Sequence, residues 1–391
     1  MNISYDSIHQ KFLSYWELLA RNTIVANLGM GMAKPDFLSE KLIAKSYFEK
    51  GHIYRPGYQH QAGKPSLRAL LAKFQSEQTE LVYSSDHIML SAGALGGFSL
   101  VIDSLACLLK SFKFIEILPT FPSLSGKIRL IAEQYQAEIV TVAPADSKDF
   151  VLKENEIVPH ISENTIIYLT NPNNPTGKYI KPHVMQEIVN ACEKTNSYLV
   201  IDECCDISFD TSYHWAKSSH VIRIQSFSKQ YLLAGYRIGY LIASTEWIDL
   251  FSSRFSFAGG NAPVVANDAI EYFINEKSIL PQIREVSKEC VKKAIMQLES
   301  FPYVDHIIHP EACYYLFIKL KHTQGSWELF EHLVKKGIDV VPGTLFGISE
   351  NESWIRLCCA RPSDELLQSL DILKNALVES AFEPISVNEK S

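Results

Sequence analysis

The sequence predicts an α/β fold, in which a large domain with a mostly parallel sheet of the seven-stranded type is joined to a smaller α+β domain. Two observations predict it. Short apolar runs that end at turn residues alternate with longer segments of helical periodicity, a pattern typical of a parallel sheet covered by helices on both faces. After about residue 265 this alternation stops, and a long helical stretch precedes further apolar runs.

The predicted buried strands are short, rich in Ile, Val and Leu, and bounded by turn-forming residues. In the first part of the chain they are 87–91, 114–118, 165–170, 198–201 and 221–225, with helices predicted at 98–109, 124–136 and 182–194. In the second part, helical spacing covers 267–300 and 363–378, and apolar runs predict strands at 314–320, 338–341 and 354–358.

These patterns predict the domain boundaries. A chain of 391 residues is long enough for two or three domains, since a domain usually takes roughly 100–200 residues. We expect an N-terminal arm and part of the small domain at 1–45, a large domain at 46–265, a C-terminal small domain at 266–380 and a loose polar tail at 381–391.

Composition and charge exclude several classes of protein. Apolar residues make up 47% of the chain and charged residues 21%, as in ordinary globular proteins with a large core. The net charge of −7, without a long Lys or Arg run, argues against a nucleic-acid partner. The N-terminus lacks the pattern of a secretory signal, and the apolar stretch 90–109 is interrupted by glycines and polar residues, so we expect no membrane partner.

The eight cysteines form no C-x-x-C motif, and their spacing fits neither a zinc site nor a disulfide framework. We therefore expect no metal and a cytoplasmic, reducing location.

Polar and small residues follow each predicted strand, at the edge where open α/β sheets bind ligands. The first strand leads into a glycine-rich helix start, whose backbone N–H groups favour an anion. The residues that follow the strands supply an anion cradle, an aromatic ring, an amide, a carboxylate, an amine, and hydroxyls beside a guanidinium. They are Gly93, Ala94, Leu95, Phe121, Asn174, Asp202, Ser226, Ser228, Lys229 and Arg237.

This set meets the needs of pyridoxal 5′-phosphate. Its aldehyde needs a lysine, and its pyridine nitrogen needs a carboxylate to stay protonated, so that the ring can accept electrons from an α-carbon. Its phosphate needs amides, hydroxyls and a guanidinium fork, and its ring oxygen needs a donor such as an amide. The sequence therefore predicts an enzyme that uses this cofactor at the α-carbon of an amino-acid substrate.

From about residue 27 to residue 361, the chain resembles the class I/II aminotransferases of fold type I, most strongly at 171–177, 226–229 and 234–240. The resemblance implies that Lys229 is the catalytic Schiff-base lysine and that Asp202 pairs with the pyridine nitrogen. It also implies that Asn174 contacts the ring oxygen and the substrate, and that Phe121 stacks on the ring. Ser226, Ser228 and Arg237 match phosphate ligands.

The resemblance extends to the substrate pocket and to a second subunit. Arg356 matches the arginine that holds the substrate α-carboxylate, with Arg361 as the alternative, and Gly31 lies in a segment like the one that lines the pocket. Tyr58, with Tyr54 as the alternative, matches a tyrosine that reaches the neighbouring subunit's phosphate, which implies a homodimer with shared active sites.

One position departs from the family pattern and keeps alternatives open. Where the family often has a tyrosine that donates to the ring oxygen, this chain has Cys205, and a thiol is a weak donor. The segments 121–126 and 356–362 also resemble capreomycidine-synthase-type cyclases. An aminotransferase is the favoured interpretation. The alternatives are a lyase or cyclase with the same cofactor and, more remotely, a non-catalytic regulator that senses the cofactor.

Overall fold

A computed structural model describes residues 5–29, 31–33, 59–79, 81–208, 218–258, 262–321 and 325–380. Labels follow chain order. The strands are β1 Ala26–Asn27, β2 Ile88–Ser91, β3 Lys113–Ile117, β4 Glu138–Val142, β5 Thr165–Thr170, β6 Tyr198–Asp202, β7 Val221–Ser226, β8 Gly239–Ile242, β9 Val304–Ile308, β10 Tyr315–Leu320, β11 Ile338–Asp339, β12 Val341–Pro342 and β13 Trp354–Cys358. The α-helices are α1 Tyr5–Arg21, α2 Pro65–Thr79, α3 Gly93–Leu109, α4 Pro122–Tyr135, α5 Glu154–Ile157, α6 Pro182–Lys194, α7 Phe227–Gln230, α8 Thr245–Ala258, α9 Val264–Asn275, α10 Ile279–Glu299, α11 Ser326–Lys335 and α12 Ser363–Ser380.

The large sheet has seven strands in the order β2-β8-β7-β6-β5-β3-β4. Its pairs are parallel except for those of β8, which runs antiparallel to both β2 and β7. Ile166 and Tyr168 of β5 pack into one apolar layer, whereas Ile167 and Leu169 pack into the layer on the opposite face. Both faces of the strand are thus buried, which explains why its sequence is a continuous apolar run and not an alternating one.

The second half of the chain forms a four-stranded antiparallel sheet in the order β12-β13-β10-β9, and β1 pairs with β11 in parallel. The predicted α/β fold class, a large mostly parallel sheet with a smaller α+β unit, is confirmed. The domain boundaries stay predictions, and the proposed tail lies outside the described residues. Among the described helices, none is both long enough and apolar enough to cross a lipid bilayer.

The structure differs from the predicted elements at several points. The helical stretch predicted at 267–300 is two helices, because a turn interrupts it. There Glu276 Oε1 accepts hydrogen bonds from the hydroxyl (2.7 Å) and the backbone N–H (3.4 Å) of Ser278. Pro281 then sits in the first turn of α10, where its missing N–H costs no helical hydrogen bond. The run 338–341 divides between β11 and β12, while α1, β4, β8 and β9 were not predicted.

Candidate active site

The strands β5, β6 and β7 end at a cavity of about 470 Å³ that also contacts α1, β10 and β13. Most of the residues predicted from sequence line this cavity. They are Gly31, Ala94, Leu95, Phe121, Asn174, Asp202, Cys205, Ser226, Ser228, Lys229, Arg237 and Arg356. Gly93 lies beside Arg237, as described below. Tyr58 and its alternative Tyr54 fall outside the described residues.

Asp202 is the last residue of β6, and its carboxylate is almost fully buried. Burial raises its pKa to about 6, although the backbone N–H of Cys204 and the nearby charge of Lys229 both oppose the rise. The Cys204 N–H donates to Oδ1 at 2.8 Å. Because few groups stabilise the negative charge of this buried carboxylate, it is a favourable partner for a cationic ring nitrogen.

Lys229 lies in the short helix α7, directly after β7. Ser226 caps this helix by accepting a hydrogen bond from the Ser228 N–H (3.1 Å), and its hydroxyl donates to that of Ser228 (2.9 Å). The cap turns the chain sharply at the sheet edge, which brings the Lys229 side chain into the cavity. There its Nζ donates to the backbone carbonyl of Gly31, which also accepts from the Tyr315 hydroxyl at 2.9 Å.

The N-terminus of α3 and Arg237 together form an anion cradle. Ala92 at the N-cap of α3 makes no side-chain cap, so N–H groups of the first turn remain available to an anion. Gly93 has φ +72°, and a Cβ built there would lie 2.6 Å from Nη2 of Arg237. Arg237 itself has φ 51°, and its Nη1 donates to the Ala234 carbonyl at 2.9 Å. Only a glycine leaves room for the guanidinium to lie this close to the helix start.

Arg356 of β13 lies at another side of the cavity and is buried. Its Nη1 donates to Oδ1 of Asn174 and its Nη2 to the carbonyl of Gly29, both at 3.0 Å. The guanidinium lies 4.3 Å from the ring centre of Tyr315 and 5.3 Å from that of Phe346. Among the described residues, no group accepts from its buried Nε. The side chain is thus fixed by stacking and hydrogen bonds, and Nη1 and Nη2 each carry a second N–H that a ligand could use.

The alternative arginine, Arg361, lies elsewhere. It is buried, its Nη2 donates to Asn27 Oδ1 at 3.2 Å and its Nε to the Cys358 carbonyl at 3.4 Å, and it does not line the cavity. Cys205 does line the cavity, and its thiol interacts with those of Cys204 and Cys313.

A buried ion pair supports the floor of the cavity. Arg223 of β7 donates to both carboxylate oxygens of Glu203, from Nε at 2.5 Å and from Nη2 at 2.9 Å, and Gln225 donates to the same carboxylate. Burial alone would lower the pKa of Arg223, but Glu203 outweighs this and holds it well above its ordinary value. The pair ties β6 to β7 beside Asp202 and Ser226, the two strand-end residues that reach the cavity.

Comparison with known proteins decides the family. A sequence model of the family described as aminotransferase class I and II matches residues 44–370. The chain belongs to this family. It is therefore an aminotransferase that depends on pyridoxal 5′-phosphate, as its sequence predicts.

The relatives of this aminotransferase match it over most of its length. It is 26% identical to an aspartate aminotransferase of Pyrococcus horikoshii over 90% of each chain. It is also 26% identical to a probable aspartate/prephenate aminotransferase of Aquifex aeolicus over 93% of each chain. The crystal structure of an aspartate aminotransferase from Thermotoga maritima superposes with a TM-score of 0.79 at 22% identity. The superposition covers 97% of this chain and 98% of that one, so the two proteins share a fold. None of these matches supports the lyase or cyclase alternative.

The residues of this aminotransferase fit its cofactor. The glycine cradle beside Arg237 suits a phosphate, and the buried Asp202 carboxylate suits a protonated pyridine nitrogen. The Lys229 amine reaches the same cavity. The residues present thus fit the cofactor.

Sequence reasoning did not identify several residues of the site. Tyr315 flanks Arg356, and Phe12, Trp16 and Met32 line the cavity. Phe346, which the resemblance places in the loop near Arg356, also lies beside the guanidinium. Tyr315 is the second residue of the strand predicted at 314–320, where it reads as core. Phe12 and Trp16 are four residues apart on one helix face, a spacing that could have indicated a shared apolar surface.

Proposed function

We propose that this aminotransferase uses Lys229 as the general base at the α-carbon, Asp202 to hold the cofactor ring and Arg356 to bind the substrate α-carboxylate. The overall reaction exchanges the amino group of an amino acid for the keto group of a keto acid. The observation that carries the assignment is the convergence of these three side chains on one cavity.

Arg356 orients the substrate. Its guanidinium is held from two sides by Asn174 and Gly29, and its stacking on Tyr315 fixes the plane of the donors. A carboxylate bound there holds the substrate in the cavity that the amine of Lys229 also lines. A neutral Lys229 amine then accepts the α-proton and can return a proton to a neighbouring carbon.

The remaining site residues hold the cofactor and tune it. When bound, pyridoxal phosphate supplies an electron sink for the substrate α-carbon. Asp202 keeps a proton on the ring nitrogen. The phosphate is bound by Gly93, Ala94, Leu95, Ser226, Ser228 and Arg237. Phe121 stacks on the ring, and Asn174 contacts the ring oxygen. Cys205 lies where the family often has a tyrosine that donates to this oxygen.

Assembly and location form part of the same proposal. The segment 58–68, Y-x-x-x-x-G-x-x-x-L-R, resembles the family segment that reaches a partner subunit, which supports a homodimer with Tyr58 in the shared site. All eight cysteines are free, which supports a reducing, cytoplasmic location.

The names of the relatives leave the substrate side chain open, since one names aspartate and another aspartate or prephenate.

The experiment that tests the proposal replaces Lys229 with alanine. We expect loss of the visible absorbance band of the bound cofactor and a fall in kcat of at least about 100-fold, the lower end of what a general base contributes. The control is Lys178→Ala, a lysine that does not line this cavity. A Lys229→Ala enzyme with an unchanged absorbance band and kcat would show that another residue has this role.

A further inference from the structure

The apolar wall of the active-site cavity identifies the substrate class. We infer that the amino-acid substrate of this enzyme has a large apolar side chain, such as that of phenylalanine or leucine, and that Phe12, Trp16 and Met32 select it. The inference rests on the proposed function, because it takes Arg356 as the site of the α-carboxylate.

The polar and apolar residues of the cavity are separated in space. Polar groups lie at the strand ends, on the floor of the cavity. They are the carboxylate of Asp202, the amine of Lys229 and the hydroxyls of Ser226 and Ser228. The other walls come from α1, from the segment after β1 and from the small sheet, and they are mainly apolar. Their large side chains are Phe12, Tyr15, Trp16, Met32, Tyr315, Val341, Leu345 and Phe346.

The positive charges of the cavity are already assigned. Among the described residues that line it, the cationic side chains are those of Lys229, Arg237 and Arg356. Arg237 belongs to the anion cradle beside Gly93, and Lys229 to the reacting carbon. Arg356 can hold one carboxylate. The described residues that line the cavity therefore offer a second, side-chain carboxylate no further cation, whereas Phe12, Trp16 and Met32 offer an apolar surface.

A negative charge lies close to this wall. The carboxylate of Asp339 accepts a hydrogen bond from the Tyr15 hydroxyl at 2.9 Å, and a Cβ on Gly29 would lie 2.2 Å from its Oδ1. Burial, together with this carboxylate, holds the pKa of Tyr15 well above its ordinary value, so its hydroxyl stays a donor committed to Asp339. The Tyr15 hydroxyl is therefore not available to bind a second substrate carboxylate.

Large side chains that line the cavity remain partly exposed. Trp16 packs edge-on against Phe12, with ring centres 6.1 Å apart, and against Tyr15 at 5.3 Å. Despite these contacts Trp16 is 47% exposed, and Met32 is 44% exposed. Large apolar side chains that line a cavity and remain this exposed gain the most when an apolar ligand group covers them.

The test is a half-reaction measured on the full-length holoenzyme. The enzyme is mixed separately with L-phenylalanine, L-leucine and L-aspartate, without any keto acid, and the loss of the visible cofactor absorbance is followed. We expect the second-order rate constant for phenylalanine or leucine to exceed that for aspartate by about tenfold or more.

Two variants locate the selectivity. Trp16→Ala should lower the rate constant for phenylalanine about 10-fold and that for L-alanine much less, because alanine cannot reach the ring. Leu13→Ala is the matched control, since Leu13 lies on the same helix, is 49% exposed and does not line the cavity. If Leu13→Ala lowers the phenylalanine rate as much as Trp16→Ala does, the assignment of Trp16 is wrong.

The outcomes separate this inference from the proposed function. Faster conversion of aspartate than of phenylalanine and leucine overturns the inference and leaves the proposed function intact. Failure of every amino acid to change the absorbance, together with an unaffected spectrum in Lys229→Ala, overturns both.

Discussion

Arg356 donates a hydrogen bond from Nη1 to the side-chain oxygen of Asn174 at 3.0 Å. Arg356 belongs to the small sheet and Asn174 to the loop after β5 of the large sheet. The proposed substrate ligand and the proposed ring-oxygen ligand are thus in direct contact. Movement of one sheet relative to the other would change the position of the substrate carboxylate and the contact to the cofactor together.

Replacing Arg356 with lysine should weaken substrate binding. A lysine keeps the charge but loses the planar fork and the stacking on Tyr315. The loss of a charged hydrogen bond of about 2 kcal/mol predicts a rise in KM of roughly 30-fold, measured by steady-state kinetics. Arg361→Lys is the control, because Arg361 is buried away from the cavity. A KM effect confined to Arg361→Lys would favour that arginine as the carboxylate ligand.

Cofactor affinity should depend on pH through Asp202. Burial raises its pKa to about 6, so below that pH its carboxyl is protonated in the apoenzyme and cannot stabilise a cationic ring. Affinity for pyridoxal phosphate should therefore increase as pH rises through about 6. Asp202→Asn should abolish this step and weaken binding roughly 10- to 100-fold. Equilibrium titration of the apoenzyme measures both effects, and an unchanged pH step in Asp202→Asn would contradict the assignment.

The same carboxyl predicts the pH dependence of apoenzyme stability. Asp202 ionises near its ordinary value of 3.8 in the unfolded chain but at about 6 in the folded one. The folded state thus holds the proton longer, and between these two values the contribution of Asp202 to the free energy of unfolding falls as pH rises. Urea unfolding measures this contribution as the difference in free energy of unfolding between wild type and Asp202→Asn, and that difference should fall as pH rises across this range.

Gly93→Ala should weaken cofactor binding. The new Cβ would lie 2.6 Å from Nη2 of Arg237, at a residue with φ +72°. Relieving the clash moves either the guanidinium or the helix start, and the backbone conformation alone costs about 1–3 kcal/mol for a residue with a side chain. Retention of cofactor on dialysis measures the effect. Gly126→Ala is the control, since a Cβ there meets nothing within 4 Å, and equal retention in the two variants would refute the steric argument.

Glu203→Gln should strongly destabilise the fold. It leaves the buried Arg223 guanidinium without its counter-charge, which typically costs about 3–5 kcal/mol. The free energy of unfolding in urea measures this. Asp103→Asn removes one partner of the half-exposed Lys127–Asp103 pair and should cost about 1 kcal/mol or less. Equal effects of the two substitutions would show that the buried pair contributes no more to the free energy of unfolding than a surface pair does.

The sequence predicts the central strands well because they are buried on both faces. Strands β5 and β6 are apolar over most of their length, whereas β7 is fully buried but carries Arg223 and Gln225 within its apolar run. The polar residues Asp202 and Ser226 at the strand ends mark the ligand edge. Strand β4 at the sheet edge is partly exposed and carries a weaker signal. A turn formed by side chains, as at Glu276 and Ser278, cannot be read from apolar periodicity either.

The sequence indicates those site residues whose functional group suits the cofactor and which directly follow a predicted strand, as Lys229 and Asp202 do. The sequence does not indicate residues that contribute to the site by packing against another side chain. Tyr315 supports Arg356 by stacking, and Trp16 lines the cavity while it remains 47% exposed. Such roles depend on contacts between segments distant in the chain, and nothing in the local pattern distinguishes these aromatic residues from ordinary core.

The reversed direction of strand β8 determines which groups share a loop. The chain leaves β7 at Ser226 and re-enters the sheet at Gly239, which is paired with Ser226. Lys229, the proposed general base, and Arg237 of the anion cradle therefore lie on one short connection. Had β8 run the other way, the chain would first have crossed to the opposite rim, about 13 Å away for a four-residue strand, and Arg237 could not have served the same ligand.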